Sequence, residues 1–452
     1  MIFIPDMDVK LAADPYLIWA MATNFRDYGN IGEDEWVSCV IECKDDEIVR
    51  SFAARLKQSV NKNNPIWCKI PNLYLTNSAR FATVRFCTIQ VQRKNILKLQ
   101  KEVKRFELGM PVNPHSADSV LETTINDQYI PVNNSLVVGI IDDFVGFAHN
   151  TFANTRGSSA SATRVERVWS QSLKSPTANY WKKSEATNSY GFELDFSKIK
   201  SAKDLTLAYP AALPNMTHGS HVASVAVGKK SYKNPSAAAD LHQDAAASAS
   251  IIAVHLPQST LEDSSGGAMN AQLLDGIHYI LANTTDDATV VINASYSTHA
   301  GAHDGTSILE EAMDELIQLS NRKLAIVLPV GNHYEARGHA KFELTTKPDT
   351  KKLAQKMLWQ VLPDCSSSSF MEIWLPKENA NLLRIELTDP QGKLIEDATV
   401  GKNWVLGHDK QSPQFAIIFP EVTGSSTKGV MALVVVSPTR QDPSNLDVAQ
   451  HG

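Results

Sequence analysis

The sequence contains few cysteines and no long apolar run, and these two absences exclude several classes of protein. It has five cysteines, four of them within the first ninety residues, and no Cys-x-x-Cys pair. Neither a zinc knuckle nor a redox-active dithiol is therefore indicated. No stretch approaches the roughly 20 apolar residues that span a bilayer. We expect reduced, mostly buried thiols and no membrane partner.

An excess of charge of one sign is also missing. The chain has 43 Lys and Arg against 49 Asp and Glu, a net charge of -6 over 452 residues. This gives no reason to expect nucleic acid or an anionic membrane as the main partner. The amino terminus lacks the basic segment and sustained apolar core of a signal peptide, so a cytoplasmic location is the expectation.

Three regions and a linker are predicted from the patterning. Residues 1–110 alternate between strand and helix patterns and predict a small α/β domain, with strands at 37–43 and 81–91 and helices at 45–60 and 93–106. Residues 111–134 continue a Pro-, Asn- and Ser-rich segment that begins near 107 and is typical of a linker.

Residues 135–340 predict the main α/β domain. Apolar strands at 136–141, 250–256, 288–294 and 324–330 alternate with helices at 221–227, 268–283 and 307–319. This order favours a mostly parallel sheet with helices on both faces. Polar stretches at 152–216 and 229–249 are interpreted as surface insertions.

Residues 341–452 predict strands and turns only. Strand candidates lie at 357–362, 370–375, 383–387, 414–420 and 430–436, with a hairpin turn at 389–392. A β-sandwich or jelly-roll module fits this pattern, and we interpret it as an insertion.

Three motifs of the α/β region contain residue types that serve acid–base catalysis. The apolar strand at 138–141 ends in Asp142 and Asp143, and a carboxylate at a strand end lies where α/β sheets build sites. The sequence His-Gly-Ser-His-Val-Ala-Ser spans 218–224. A third motif comprises Asn-Ala-Ser-Tyr-Ser at 293–297 and Leu-Pro-Val-Gly-Asn at 328–332.

In this order, the motifs resemble those of the subtilisin-like serine proteases. The resemblance covers about 200 residues and implies Asp142 as the orienting carboxylate and His218 as general base and acid. It implies Asn332 as the oxyanion donor. The substrate-binding residues that it implies are Ser295, Tyr296, Ser297, Pro329, Val330 and Gly331. Residues 1–110 resemble the inhibitory propeptide of that family.

The sequence departs from the family at two places in these motifs. Asp142 is followed by Asp143 and Phe144, and Tyr296-Ser297 replaces the Leu-Gly that follows the first serine of the substrate strand. A metal pair formed by His218 and His221 is the rival interpretation, but no HExxH glutamate or clustered third ligand accompanies them. We therefore assign no metal, and interpret His221 as structural. Structural calcium is implied by the resemblance alone.

No serine of these 452 residues has the family's Gly-Thr-Ser-x-Ala-x-Pro setting. Ser307 lies in Gly-Thr-Ser but precedes Asn332, and with Glu310 it predicts a helix-capping box. Ser425 and Ser426 follow Gly424 between two predicted strands and have neither the Ala-x-Pro sequel nor a helical continuation. We expect a serine endopeptidase whose nucleophile is absent from this chain, which is then nearly inactive. The alternative is a catalytically inactive, subtilase-derived protein that binds polypeptides.

Overall fold

The computed structural model of the chain contains eight α-helices and seventeen β-strands in its described residues. These residues are 12–60, 66–76, 78–112, 132, 134–153, 163–171, 173, 179–184, 190–209, 217–229, 245–261, 269–321, 323–343, 355–365, 367–407, 413–421, 424 and 426–439. The helices are α1 (Tyr16–Ala22), α2 (Val49–Ser59), α3 (Leu99–Glu102), α4 (Ala202–Leu207), α5 (His218–Val227), α6 (Gln258–Leu261), α7 (Met269–Ala282) and α8 (Ile308–Leu319).

The strands group into three regions along the chain. They are β1 (Trp36–Glu42), β2 (Cys68–Lys69), β3 (Phe86–Gln92), β4 (Arg105–Val112), β5 (Leu136–Asp142), β6 (Val165–Ser170), β7 (Trp181–Lys183), β8 (Phe192–Leu194), β9 (Ser250–His255), β10 (Thr289–Ala294), β11 (Leu324–Val327), β12 (Ser369–Pro376), β13 (Arg384–Thr388), β14 (Leu394–Thr399), β15 (Lys402–Gly407), β16 (Pro413–Phe419) and β17 (Gly429–Val436).

The first four strands form an antiparallel sheet in the order β2-β3-β1-β4. Together with α2 and α3 they have the β-α-β-β-α-β order of the split βαβ motif. Helix α2 buries Val49, Phe52, Ala53 and Leu56, whose spacing of three and four residues places them on one face. The strand–helix alternation predicted for this region is therefore present.

The helix predicted at 93–106 is confirmed over Arg93–Glu102, although most of this stretch is a 3-10 helix, and is wrong at its carboxyl end. The chain forms a 3-10 helix at Arg93–Lys98 and the single turn of α3, and β4 begins at Arg105. Residues 105–112 pair with β1, so the linker prediction is wrong from about 107 to Val112, and residues 113–131 lie outside the described part of the chain. The apolar spacing at 96–103 fits a helix, but pairing with a distant strand decides the structure of the residues that follow.

The central sheet is mixed and has seven strands in the order β11-β10-β5-β9-β6-β8-β7. The first five are parallel, as predicted, whereas β8 and β7 add in antiparallel orientation. The surface insertion predicted at 152–216 is wrong in part, because β6 lies inside the sheet beside β9 and buries Val168 and Trp169. Of the stretch predicted as an insertion at 229–249, residues 230–244 lie outside the described part.

Helices cover both faces of this sheet. Val138 and Ile140 of β5 pack with Ala223 and Val227 of α5. On the opposite face, Ile141 joins a core that includes α7. Helix α7 is buried on all sides because the first sheet covers its other face. Helix α7 and β4 lie close together, since a Cβ added to Gly109 of β4 would lie 2.7 Å from the Cβ of Ala271 in α7.

The last region consists of a four-stranded antiparallel sheet, β12-β17-β16-β15, and the β13–β14 hairpin. Apolar residues of the hairpin and the sheet pack together, so the two form a small sandwich. The predicted strand at 357–362 is wrong, since this segment is irregular and mostly exposed. A 3-10 helix at Lys377–Leu382 interrupts the predicted succession of strands. The six strands in the described part are fewer than the eight of a jelly roll.

Four cysteines are buried and all five are free, in agreement with the expectation of mostly buried thiols. Among the described residues, no helix has both the length and the apolar character needed to cross a bilayer.

Candidate active site

A carboxylate and an imidazole meet at the carboxyl end of the parallel strands. Asp142 is the last residue of β5 and is completely buried, and His218 is the first residue of α5. Asp142 Oδ1 lies 2.8 Å from Nδ1 of His218, whose side chain is 48% exposed. If Nδ1 carries the proton and donates it to the carboxylate, Nε2 is free to accept a proton from the open side.

Gly219 explains why the helix can start so close to the strand. A Cβ at this position would lie 2.7 Å from the Cβ of Asp142 and 2.6 Å from the backbone oxygen of Phe144. The missing side chain of Gly219 therefore gives room for the end of β5. Thr217 caps α5 by accepting from the N–H of Ser220, and its hydroxyl donates to the Phe144 carbonyl.

Asp143 holds the same helix from its amino end, a role that sequence reasoning missed. Its Oδ1 accepts from the N–H of Gly219 at 2.7 Å, and its Oδ2 accepts from the N–H of His218 at 3.2 Å. The first N–H groups of a helix have no partner within it and favour a negative charge. The paired acids after the strand are the signal that could have revealed this contact. Asp143 is therefore a positioning residue for His218.

Burial raises the pKa of Asp142 to about 6, although hydrogen bonds from His218 and the N–H of Asp143 act in the opposite direction. Asp142 Oδ2 is buried without a hydrogen-bond partner among the described residues. The carboxylate is thus ionised only above about pH 6. Above this pH it can stabilise a positive charge on the imidazole.

His255 supports the loop that follows Asp142. It ends β9, is paired in register with Asp142, and is buried. Its Nε2 accepts a hydrogen bond from the N–H of Val145 at 3.1 Å, and its ring packs on Phe144. Burial lowers the pKa of His255 to about 3, so the ring is neutral and can act as the acceptor. The sequence signal for this role was the position of His255 near the end of another predicted parallel strand.

Tyr296 follows β10 and contacts the histidine. Its ring centroid lies 5.3 Å from that of His218, with the planes at 70°. Burial, together with the charges of Asp143 and Asp142, raises the pKa of Tyr296 to about 12, so the phenol stays protonated. Ser295 accepts a hydrogen bond from Asn293, and Ser297 is exposed.

The segment that follows β11 lies open. The strand ends at Val327, earlier than the predicted residue 330, and residues 328–332 are exposed except for the half-buried Pro329. 

The side chain of Val330 is fully exposed, at 106%. Gly331 has a φ of +90°, which favours glycine. In the described part of the chain, no hydrogen bond or ring contact joins Asn332 to Asp142 or His218. The structure therefore brings together Asp142, His218 and Tyr296, and Asn332 as oxyanion donor stays a prediction.

The donor atoms of Asp142, Asp143 and His218 all lie within 4.8 Å of one another, the spacing of a metal site. Their hydrogen bonds, however, already engage both oxygens of Asp143 and Nδ1 of His218. His221, the other member of the metal pair considered from the sequence, is exposed. This arrangement suits proton transfer through Nε2 better than ion binding.

The serines considered from the sequence are engaged elsewhere or lie outside the described residues. Ser307 forms the predicted capping box with Glu310 at the start of α8, which confirms that interpretation. Ser426 is buried, and its Oγ accepts from the N–H of Gly429. Ser425 lies outside the described residues.

Comparisons with known proteins give little that bears on this site. No family model matches the chain, and no curated protein matches it. A solved structure of the Clostridium perfringens CspB protease aligns with 17% identity and a TM-score of 0.40, over 68% of this chain. The aligned chain spans 58% of that protein.

Proposed function

We propose that the chain carries the aspartate–histidine part of a subtilisin-like serine endopeptidase. The observation that supports this best is the 2.8 Å contact between Nδ1 of the half-exposed His218 and the buried carboxylate of Asp142. In this role His218 takes the proton of an attacking serine and returns it to the leaving amine. Asp142 fixes the tautomer and stabilises the imidazolium. The substrate is a polypeptide, cleaved through an acyl-enzyme.

The nucleophile in this proposal is a serine from outside these 452 residues. The capping contacts of Ser307 and the burial of Ser426 support this choice, since neither hydroxyl is presented to His218. Asn332 completes the oxyanion hole when its segment is brought to the site. Ser295–Ser297 and Pro329–Gly331 then form the walls of the substrate pocket, with Tyr296 already beside the histidine.

The proposal extends to the arrangement of the domains. The five parallel strands with α5 on one face and α7 on the other are compatible with a subtilisin-like layout. The first sheet packs on α7 and α8, which supports an inhibitory, propeptide-like role for residues 1–110. Residues 341–452 act as an inserted module.

Binding of polypeptides without hydrolysis is the second candidate function. Apolar side chains in the segments after β11 are widely exposed, among them Val330 at 106%, Tyr334 at 95% and Leu358 at 90%. Exposed apolar surface of this kind marks interaction sites.

The experiment that tests the dyad uses the full 452-residue chain and an activated ester such as p-nitrophenyl acetate. A histidine held by a carboxylate accelerates attack by water even without a serine, since it acts as a general base. We expect His218→Ala to lower the protein-dependent rate at least about tenfold, and Asp142→Asn to lower it to a smaller extent. His221→Ala, exposed on the same helix, is the matched control and should keep the rate.

A fluorophosphonate probe, which reacts with activated serines, separates the candidates further. We expect no labelling of this chain, and labelling once a reading frame extended beyond codon 452 supplies Gly-Thr-Ser-x-Ala-x-Pro. Labelling of the present chain at Ser307, Ser425 or Ser426 would overturn the assignment of the nucleophile. An ester rate that is equal in the wild type and His218→Ala, with no labelling, would leave polypeptide binding as the function.

A further inference from the structure

The imidazole of His218 is contacted from two sides. Its Nδ1 lies 2.8 Å from Asp142 Oδ1, and its ring contacts the ring of Tyr296, with the centroids 5.3 Å apart and the planes at 70°. The side chain of His218 is otherwise open, with 48% of its surface exposed. One hydrogen bond fixes the distance between Nδ1 and the carboxylate but leaves the imidazole free to tilt about that bond. The contact with Tyr296 limits this tilt.

The segment that contains Tyr296 is itself anchored. Tyr296 is half-buried and packs against the core that includes β10 and α7. On its amino-terminal side, Asn293 Nδ2 donates a hydrogen bond to Ser295 Oγ at 2.8 Å. On its carboxyl-terminal side, the N–H of Gly301 donates to Oε2 of Glu372 in β12 at 2.7 Å. The Tyr296 ring therefore offers a fixed surface to an imidazole that is half-exposed.

The contact is made by the aromatic ring of Tyr296 and not by its hydroxyl. In the described part of the chain, the phenol oxygen forms no hydrogen bond to Asp142, Asp143 or His218. Burial and the charges of Asp143 and Asp142 raise the pKa of Tyr296 to about 12, so the ring brings no negative charge to the dyad at neutral pH. Perpendicular aromatic pairs of this kind are attractive because the positive edge of one ring meets the negative face of the other.

We propose that Tyr296 is a positioning residue for His218, whose ring holds the imidazole with Nδ1 on Asp142 and Nε2 toward the open side. This inference rests on the proposed aspartate–histidine dyad and extends it. The motif of the subtilisin-like proteases has leucine at the position of Tyr296, so the ring contact is a feature of this chain. A leucine can pack against the same core, but it has no ring to offer to the imidazole.

The test compares Tyr296→Leu and Tyr296→Met, which remove the ring, with Tyr296→Phe, which keeps it, in the full 452-residue chain. In the ringless variants we expect the downfield proton resonance of His218 Nδ1 to broaden or disappear. The strength of an aromatic pair corresponds to a factor of about 2 to 13 in the population of the placed ring, so kcat for p-nitrophenyl acetate should fall by about this factor while KM changes less. Tyr296→Phe should retain both the resonance and kcat. Tyr334→Leu, which replaces a ring that is 95% exposed, is the control and should change neither.

Three results would overturn the proposal. The first is an unchanged Nδ1 resonance in the ringless variants. The second is an equal loss in Tyr296→Phe, which would assign the role to the hydroxyl, and the third is a change in KM alone, which would leave Tyr296 as a wall of the substrate pocket. The resonance is measured without substrate, so it tests the position of His218 separately from the peptidase proposal. An ester rate that does not depend on His218 would count against that proposal only. Circular dichroism of each variant checks the fold.

Discussion

Gly219 lies against Asp142 so closely that a Cβ at position 219 would stand 2.9 Å from the carboxyl carbon of Asp142. Side-chain atoms essentially never approach at this distance, so a larger residue must move either the helix or the strand end. The contact between His218 and Asp142 depends on this absence of a side chain.

We predict that Gly219→Ala separates the dyad and destabilises the protein. Alanine favours a helix over glycine by about 1 kcal/mol, but the overlap with the Phe144 carbonyl and Asp142 should outweigh this and cost about 1–3 kcal/mol. Denaturant unfolding measures the change, and the downfield proton resonance of His218 Nδ1 should disappear. Gly338→Ala is the matched control, because nothing lies within 4 Å of its added Cβ. An unchanged resonance in Gly219→Ala would contradict the packing argument.

Asp143 should position His218 only through its hydrogen bonds to the first N–H groups of α5. Its carboxylate accepts the N–H groups of His218 and Gly219. Replacing a capping residue by alanine costs about 0.5–2 kcal/mol, so we expect Asp143→Ala to lose this amount and Asp143→Asn, which keeps an acceptor oxygen, to lose less. The ester rate should fall in the same order. Asp46→Asn removes an exposed acid elsewhere and should change neither quantity. Equal effects of Asn and Ala at position 143 would argue against the acceptor oxygen as the source of the stabilisation and would leave the charge of Asp143 as the cause.

The sequence predicted the end of β5 and the start of α8 well, because both are specified by neighbouring residues. The apolar run before Asp142 has the length and composition of a buried parallel strand, and β5 begins at the predicted residue and includes Asp142. The capping pair Ser307 and Glu310 is likewise local in sequence, and the structure contains it.

Contacts between distant segments could not be predicted in the same way. The segment at 93–106 has helical apolar spacing, but β4 begins within it because Arg105 pairs with Glu42 of β1. Strand β6 was not predicted because its polar residues obscure the apolar pattern of a buried strand. Its burial depends on pairing with β9. The bonds from Asp143 to α5 span about 75 positions of the chain, so the paired acids after the strand do not identify the helix that they contact.

His255 should make stability depend on pH. Its folded-state pKa of about 3 lies below the usual value of 6.5. The stabilising contribution of the neutral ring is therefore complete above pH 6.5 and is lost as the pH falls from 6.5 toward 3. The loss is roughly 1.4 kcal/mol per pH unit in that range. His255→Gln offers the Val145 N–H an acceptor oxygen that does not titrate.

The difference in unfolding free energy between the wild type and His255→Gln, measured from pH 8 to pH 4, isolates this contribution from the other titrating groups. We expect the difference to shift against the wild type as the pH falls below 6.5. His221→Gln is the exposed control and should give a flat difference. A flat difference for His255→Gln as well would show that the ring is protonated as easily in the folded chain as in the unfolded one.

The strength of the contact between the first sheet and α7 should depend on pH through Asp275. This buried carboxylate accepts hydrogen bonds from Tyr74 at 2.7 Å and Thr88 at 2.6 Å, and also from Tyr190. Burial nevertheless raises its pKa to about 6. Since the folded-state pKa lies above the usual 3.8, the stabilising contribution of Asp275 is complete below pH 3.8 and is lost as the pH rises through 6.

We therefore predict that Tyr74→Phe destabilises the protein more at pH 8 than at pH 5. At pH 8 the phenol donates to a charged carboxylate, a bond worth about 1.5–3 kcal/mol, and at pH 5 it meets a protonated acid and contributes about 1 kcal/mol. Urea unfolding at both pH values measures the two losses. Tyr334→Phe removes a hydroxyl from a side chain that is 95% exposed and should be neutral at both. An equal loss of unfolding free energy in Tyr74→Phe at pH 5 and pH 8 would mean that Asp275 keeps one protonation state across this range. The charge of Asp275 would then not control the strength of the contact between the first sheet and α7.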